Sequence, residues 1–338
     1  MPFTDIIGQE EPKRQIRTAL AHETIGHAYL FWGDDGIGKR LTALRFAQAL
    51  SCDTVPSSAQ PDSCGYCRAC ELIASAAHPD FLIIEPEREK AHPQIKIDQV
   101  REIERHMIYR PLLSLRKICV IDDVDRLTVS AANALLKTLE DPPEHSLFIL
   151  VTSQPYRLPA TVRSRCLALR FSPTTAAQCE GLLALRRAMP PDDARFLSQV
   201  CGNRIGVALE MDLTRLRHQH DQFLQCCQSD ALAHPTAILQ RAEAVSKTQH
   251  FPDVLDWLAH GLRDLLLIRL GASPTLILHQ AHHALLQRCV KDIDIADLFS
   301  LLESLHTLEQ APHRNLNLQL CLENFLFHVH RTIHRHAA

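Results

Sequence analysis

The sequence predicts an α/β protein built on a parallel sheet of the P-loop kind, with helical domains after it. Three observations predict it. Gly33-Asp-Asp-Gly-Ile-Gly-Lys-Arg40 fits the phosphate-loop pattern G-x-x-x-x-G-K-S/T at every fixed position except the last. Lys117-Ile-Cys-Val-Ile-Asp122-Asp123 is an apolar run closing on two acids, as expected of a parallel strand whose carboxyl end faces phosphates. From Ser172 onward the pattern turns helical, with apolar residues at Val254, Leu255, Leu258, Leu262 and Leu265, and again at Leu298, Leu301, Leu302, Leu305 and Leu308.

The first element is a helical pattern through Ile16 and Leu20, preceded by the apolar pair Ile6-Ile7, which either lies against a nucleotide base or packs beneath that helix. Ala28-Tyr-Leu-Phe-Trp32 is a β-type run leading into the glycine loop, and Leu41, Leu44, Phe46, Ala47 and Leu50 follow at helical spacing. In such a loop Gly33, Gly36 and Gly38 let successive N–H groups curl toward phosphate oxygens at the positive end of the helix, and Lys39 reaches the outer phosphates. A Ser or Thr in the last place holds Mg²⁺ through its hydroxyl. Arg40 stands there with no oxygen to offer, and Asp34 and Asp35 bring negative charge near the phosphates, so ATP binding in this site is expected to be weak or absent.

After the loop helix come Cys52 and then Cys64-Gly-Tyr-Cys67-Arg-Ala-Cys70. Two successive C-x-x-C spacings turn three thiolates to one centre, and the polar stretch after Cys52 is long enough to return a fourth. The four cysteines are read as a closed structural zinc site, without an open position for substrate. The chain has 12 cysteines, and Cys119, Cys166, Cys179, Cys201, Cys226, Cys227, Cys289 and Cys321 lack such spacing and are expected in the core. The histidines near the end, His328, His330, His334 and His336, are read as a solvated helix end.

Phe81-Leu-Ile-Ile84 reads as a second buried strand, and Ile95 to Arg101 opens a helix with Asp98 as its cap or in its first turn. Asp122 is placed to hold the water shell of Mg²⁺. Asp123 stands where a hydrolase of this type carries a Glu to polarise water, and is one methylene short.

Charge and signals exclude several classes. A net charge of −3 over 338 residues gives no global basic field for a stand-alone nucleic-acid binder. No apolar run approaches the ~20 residues of a membrane span, and Met1-Pro-Phe-Thr-Asp5 lacks the features of a secretion signal, so a cytoplasmic protein without membrane contact is expected.

The run Ala131-Ala-Asn-Ala-Leu-Leu-Lys-Thr-Leu-Glu-Asp-Pro-Pro143, the stretch Leu147 to Ser153, and Leu158-Pro-Ala-Thr-Val-Arg-Ser-Arg-Cys166 closely resemble bacterial DNA polymerase III clamp-loader subunits of the AAA+ class. The cysteine cluster looks like the zinc module of the same subunits. The resemblance implies an AAA+ RecA-like parallel-sheet domain over residues 1–170 with its zinc-binding insertion at 52–70, a small helical lid over 171–211, and an all-α C-terminal collar over 212–338. It implies a pentameric ring shared with gamma/tau-like motor subunits and a delta-like subunit, which reaches the sliding clamp and primer–template DNA as an assembly. Arg165, inside the Ser-Arg-Cys triplet, is implied as an arginine finger for the neighbour's ATP. Thr152 or Ser153 is implied at the sensor position, and Val207 falls where a second sensor often carries Arg, with Arg204 three residues earlier. Arg40 and Asp123, together with the terminal Asn315-Leu-Asn-Leu-Gln-Leu-Cys-Leu-Glu323, which is similar to the last collar helix of such a subunit, point to the ring's non-hydrolysing structural subunit, and Val207 is a third weakness of its own nucleotide site. Two further functions compete with it: an active clamp-loader ATPase, which calls for Gly-Lys-Thr and Asp-Glu, and a zinc-dependent DNA-binding protein, which calls for more bases around the cysteines than Arg68.

Overall fold

Short runs of apolar residues that are covered on both faces need no polar alternation, and four of the five strands here read that way. The computed structural model describes residues 3–54, 62–87, 93–218, 235–247, 251–291, 293–311 and 316–334. Strands β1 (Ala28–Trp32), β2 (Phe81–Ile84), β3 (Lys117–Ile121), β4 (Ser146–Thr152) and β5 (Leu167–Arg170) form one sheet in the order β2-β3-β4-β1-β5. Every pairing is parallel, with Leu30 beside both Leu150 and Ala168. This is the fold expected from the sequence, with the glycine loop leaving a central strand. Only β5 went unannounced: it is short, it lies at an edge, and of its side chains only Leu169 is buried.

The two-residue period of the strands sends alternate side chains to two cores. Tyr29, Phe31, Ile118, Val120, Leu147, Ile149 and Val151 face one layer. There they meet Ile16 of helix α1 (Glu10–Ala21), Phe46 and Ala47 of α2 (Lys39–Ser51), and Ile73 of α3 (Arg68–Ala74). The Tyr29 and Phe46 rings stand edge to face at 5.3 Å. Ala28, Leu30, Cys119, Ile121, Phe148 and Leu150 face the other layer, against α4 (Ile97–Ile108), α5 (Val129–Glu140) and α6 (Ala160–Arg163). Ile6 belongs to the first core and Ile7 is half-buried, and both also line the cleft at the glycine loop. At the start of α4 Lys96 is the N-cap residue, its amide donates to the Gln99 side-chain oxygen at 3.0 Å, and Asp98 lies in the first turn.

Three helices follow the sheet, α7 (Ala176–Arg187), α8 (Pro191–Val200) and α9 (Ile205–Glu210). The chain divides into two compact units, Met1–Glu210 and Met211–Ala338. In the second unit, helices Pro235–Ser246, Phe251–Arg269, His283–Val290, Ile295–Gln310 and Leu318–His334 enclose a core of Leu255, Leu262, Leu265, Leu298, Leu301, Leu305 and Leu308. Asp264 is buried in this unit, where it accepts hydrogen bonds from the Leu278 and His279 amides and pairs with His279 Nδ1 at 2.6 Å. Cys119, Cys179 and Cys201 are buried, and Cys166, Cys289 and Cys321 half-buried. Cys226, Cys227, Asn315 and His336 lie outside the described residues.

Asp80, just before β2, fixes the sheet's other connection. Its carboxylate is fully buried and accepts the amide N–H groups of Leu112, Leu113 and Ser114 at 2.8, 2.7 and 2.9 Å, with Lys117 Nζ 3.7 Å away. Burial pushes the carboxyl up, but these amides and Lys117 outweigh it and hold the group below its ordinary range. A depressed folded value contributes stability that is complete above the ordinary carboxylate range near ~4 and is lost as pH falls through the folded value. Asp80→Ala should therefore cost about 3 kcal/mol or more at neutral pH, and the gap to wild type in urea unfolding should narrow in acid.

Candidate functional site

A chain can curl its amides toward one point only where residues tolerate a left-handed backbone, which is why the loop after β1 is glycine-rich. Gly36 and Gly38 have φ of 72° and 97°. The loop opens onto a cleft of about 750 Å³ lined among others by Ile7, Lys39, Arg40, Leu182, Arg186 and Val207. Parallel topology brings the ends of β3 and β4 to the same side as the end of β1, and with them Asp122, Asp123 and Thr152.

Each side chain expected to serve a nucleotide is bonded to the protein, both those that line the cleft and Thr152 and Arg204, which do not line it. The Lys39 ammonium donates to the carbonyls of Gly33 and Asp34, both at 2.6 Å, with Asp35 at 3.6 Å. Burial pulls its pKa down. Arg40 pairs with Glu85 through one guanidinium nitrogen and with Asp122 Oδ2 at 3.5 Å through the other. Burial, and then the neighbouring Asp123, push the Asp122 carboxyl up. Asp123 sits in left-handed backbone with φ of 48° and pairs with Arg126 at 3.4 Å. Thr152 donates its hydroxyl to Asp125 at 2.5 Å and accepts the Gln154 amide at 2.9 Å. Arg204 donates to the Cys201 carbonyl at 2.8 Å.

α9 closes directly on the loop. The Gly206 amide donates to the Gly36 carbonyl at 2.7 Å, and Val207 occupies the space that a Cβ on Gly36 would need. Gln9 ties the loop from beneath: its amide nitrogen donates to the carbonyls of Ile37 at 3.0 Å and Ser172 at 2.6 Å. Glu85, Asp125 and Gln9 escaped sequence reasoning. Glu85 alone left a signal, because an acid directly after a buried strand points out of the carboxyl edge of the sheet.

Arg165 lies apart from these groups and is not among the residues lining the cleft. Its guanidinium pairs with Glu140 at 2.8 Å and donates to the Thr161 carbonyl at 2.8 Å and the Ser164 hydroxyl at 3.3 Å. The side chain is 36% exposed. Arg163, by contrast, stacks over the Tyr156 ring.

The cysteines converge as the spacing requires. Cys52 caps the end of α2, Cys67 precedes α3 and Cys70 lies within it, and the four sulfurs of Cys52, Cys64, Cys67 and Cys70 lie within 4.8 Å of one another. Cys52 to Cys67 is 3.9 Å and Cys64 to Cys70 is 4.0 Å, close to the ~3.8 Å edge of a tetrahedron with metal–sulfur bonds of ~2.3 Å. The Cys64 amide donates to Cys52 Sγ and the Cys67 amide to Cys64 Sγ, which favours thiolate charge. The donor set therefore fits a tetrahedral metal ion.

Sheet order, glycine loop and acid-ended strand define a P-loop chain of the AAA+ kind. Residues 8–175 match the family model of the DNA polymerase III delta subunit, and residues 211–331 match that of the same subunit's C-terminal part. The chain belongs to this DNA polymerase III delta-subunit family. It is 39% identical over 175 residues to DNA polymerase III subunit delta' of Pseudomonas aeruginosa, covering 52% of this chain and 51% of that one. Over 329 residues it is 28% identical to subunit delta' of Bacillus subtilis, covering 94% and 95%. Subunit tau of Bacillus subtilis is 36% identical over 179 residues, covering 53% of this chain and 30% of tau. The chain thus spans about half of the first of these relatives and under a third of tau. Among the described residues no helix is long and apolar enough to cross a membrane.

The contact between α9 and the loop is testable. On Gly36→Ala the new Cβ would stand 2.6 Å from Val207 Cγ2 and 2.8 Å from its amide nitrogen, at a φ of +72°. The variant is expected to lose about 1–3 kcal/mol, and hydrogen exchange should show the Gly206 amide released.

Proposed function

We propose that this chain is a delta'-type structural subunit of the clamp loader of DNA polymerase III, which hydrolyses no ATP itself and lends Arg165 to the ATP of a neighbouring motor subunit. One observation carries this reading: the cation-binding position of its own loop holds Arg40, bonded to Glu85 and Asp122. The bonding of Lys39 and Thr152 within the protein supports it, as do the names of the delta' relatives.

In this role the partners are gamma/tau-like motor subunits and a delta-like subunit in a pentameric ring, with the sliding clamp and primer–template DNA engaged by the whole assembly. Residues 171–211 act as lid and 212–338 as the collar that holds the ring. The chemistry is electrostatic and acts in trans. A guanidinium is planar and permanently charged, so once a partner's terminal phosphate replaces Glu140 as its counter-ion it offsets charge on the transferring phosphoryl oxygens. The motor-subunit reading has the likeness to tau in its favour and Arg40 and Asp123 against it.

The cysteine cluster is assigned to zinc, which supplies a cross-link between the end of α2 and α3 and no reaction step. The purified chain should carry one zinc per molecule by elemental analysis. A chelator, or Cys67→Ser, should lower the melting temperature and expose the 52–70 segment to protease.

The trans role is tested in the reconstituted ring. Arg165→Ala is expected to leave assembly intact and to slow hydrolysis at the one site it faces by on the order of 10³, read as single-turnover phosphate release in rings with only that site active. Unchanged release would refute the finger.

A further inference from the structure

In a loop of this pattern Mg²⁺ lies between the hydroxyl that follows the lysine and the first acid after β3. The residues present do not fit that ion. Arg40 follows Lys39, and its guanidinium lies between Glu85 and Asp122, whose side chains are 29% and 15% exposed.

We propose that the Arg40 guanidinium is a built-in replacement for the divalent cation: it keeps Mg²⁺ out of the cleft and covers a latent metal site made of Asp122 and Glu85. The proposal deepens the non-hydrolysing reading of the same loop and rests on it.

Four features lead there. Arg40 occupies the first turn of α2, where a cation meets the positive end of the helix, so its placement makes physical sense only through the carboxylates that face it. The guanidinium stays charged at every accessible pH and cannot step aside by losing a proton, as an amine could. Its flat fork reaches two carboxylates at once, as an octahedral ion held by one or two carboxylates and water would. Asp122 also spends its second oxygen on the Asp123 amide, at 3.1 Å, which fixes the carboxylate toward Arg40. With the arginine gone, Glu85 and Asp123 would stand beside Asp122 at the carboxyl edge of the sheet, a group of three carboxylates. That is an environment for a hard divalent ion, with a hydroxyl at position 40 completing it.

The test uses the full chain with its cysteine site loaded, in buffer freed of Mg²⁺ by resin without chelator, and compares wild type with Arg40→Thr. Thermal melting with and without millimolar MgCl₂ is one readout, and calorimetry with ATP under both conditions is the other. Wild type should melt at the same temperature in both buffers, and any ATP affinity should change by less than about threefold. Arg40→Thr should melt lower without Mg²⁺, recover with it saturably, and gain at least about tenfold in ATP affinity when Mg²⁺ is present. Adding Asp122→Asn to that variant should abolish both gains. Mg²⁺-dependent stabilisation of wild type overturns the proposal, as does an Arg40→Thr protein that folds and ignores Mg²⁺, or gains that survive Asp122→Asn. If Arg40→Thr folds only with Mg²⁺, the rescue is itself the expected result. If it folds in neither buffer, the wild-type melts decide. None of these outcomes bears on Arg165, whose trans role stands or falls with phosphate release in the ring.

Discussion

A single ion-pair arrangement, the Arg40 guanidinium between Glu85 and Asp122, governs what the nucleotide cleft can do. A P-loop works because amides, one ammonium and one divalent ion share the charge of a triphosphate. Exchange the hydroxyl for a fixed monovalent cation and the amides remain, but the geometry that activates the terminal phosphate is gone. The neighbouring groups are likewise held within the protein: Asp123 pairs with Arg126, Thr152 bonds Asp125, and Val207 packs against Gly36 of the loop. The scaffold of a phosphate loop is kept while the side chains around it are bonded to one another, which is the observation behind the proposed non-hydrolysing role.

The scaffold depends on two braces besides the alternating cores. Asp80 gathers three amides of the loop leading into β3, which sets where Asp122 emerges at the other end of that strand. The four cysteines bring the end of α2 beside α3, a seven-residue helix too short to persist alone, and a metal ion held there would tie the two together. The Gln48 side chain adds to that joint by donating to the Cys70 carbonyl at 2.7 Å. Asp80 thus acts on the strand that leads into Asp122, and the cysteines lie at the far end of the helix that follows the glycine loop.

Much of this was legible in the sequence. The strand–loop–helix pattern, the acid-ended strand and the cysteine spacing are local signals, set by backbone geometry over a few residues, and the sheet and the cysteine convergence followed from them. What stayed hidden was pairing across the chain. Nothing near Arg40 announces Glu85, 45 positions on, and Asp125 is separated from Thr152 by a helix. β5 is faint because an edge strand with one buried side chain has little apolar signature. Arg165 marks the opposite limit: the triplet around it is distinctive, yet its partner in the isolated chain, Glu140, is visible only in three dimensions.

Phosphate release by the purified chain alone, at saturating ATP and Mg²⁺ with and without primed DNA, bears most directly on the division of labour between this subunit and its neighbours. Wild type and Lys39→Ala should be indistinguishable from each other and from buffer. Steady turnover by wild type that disappears in Lys39→Ala would make the chain a motor in its own right and contradict its role as a silent donor of charge.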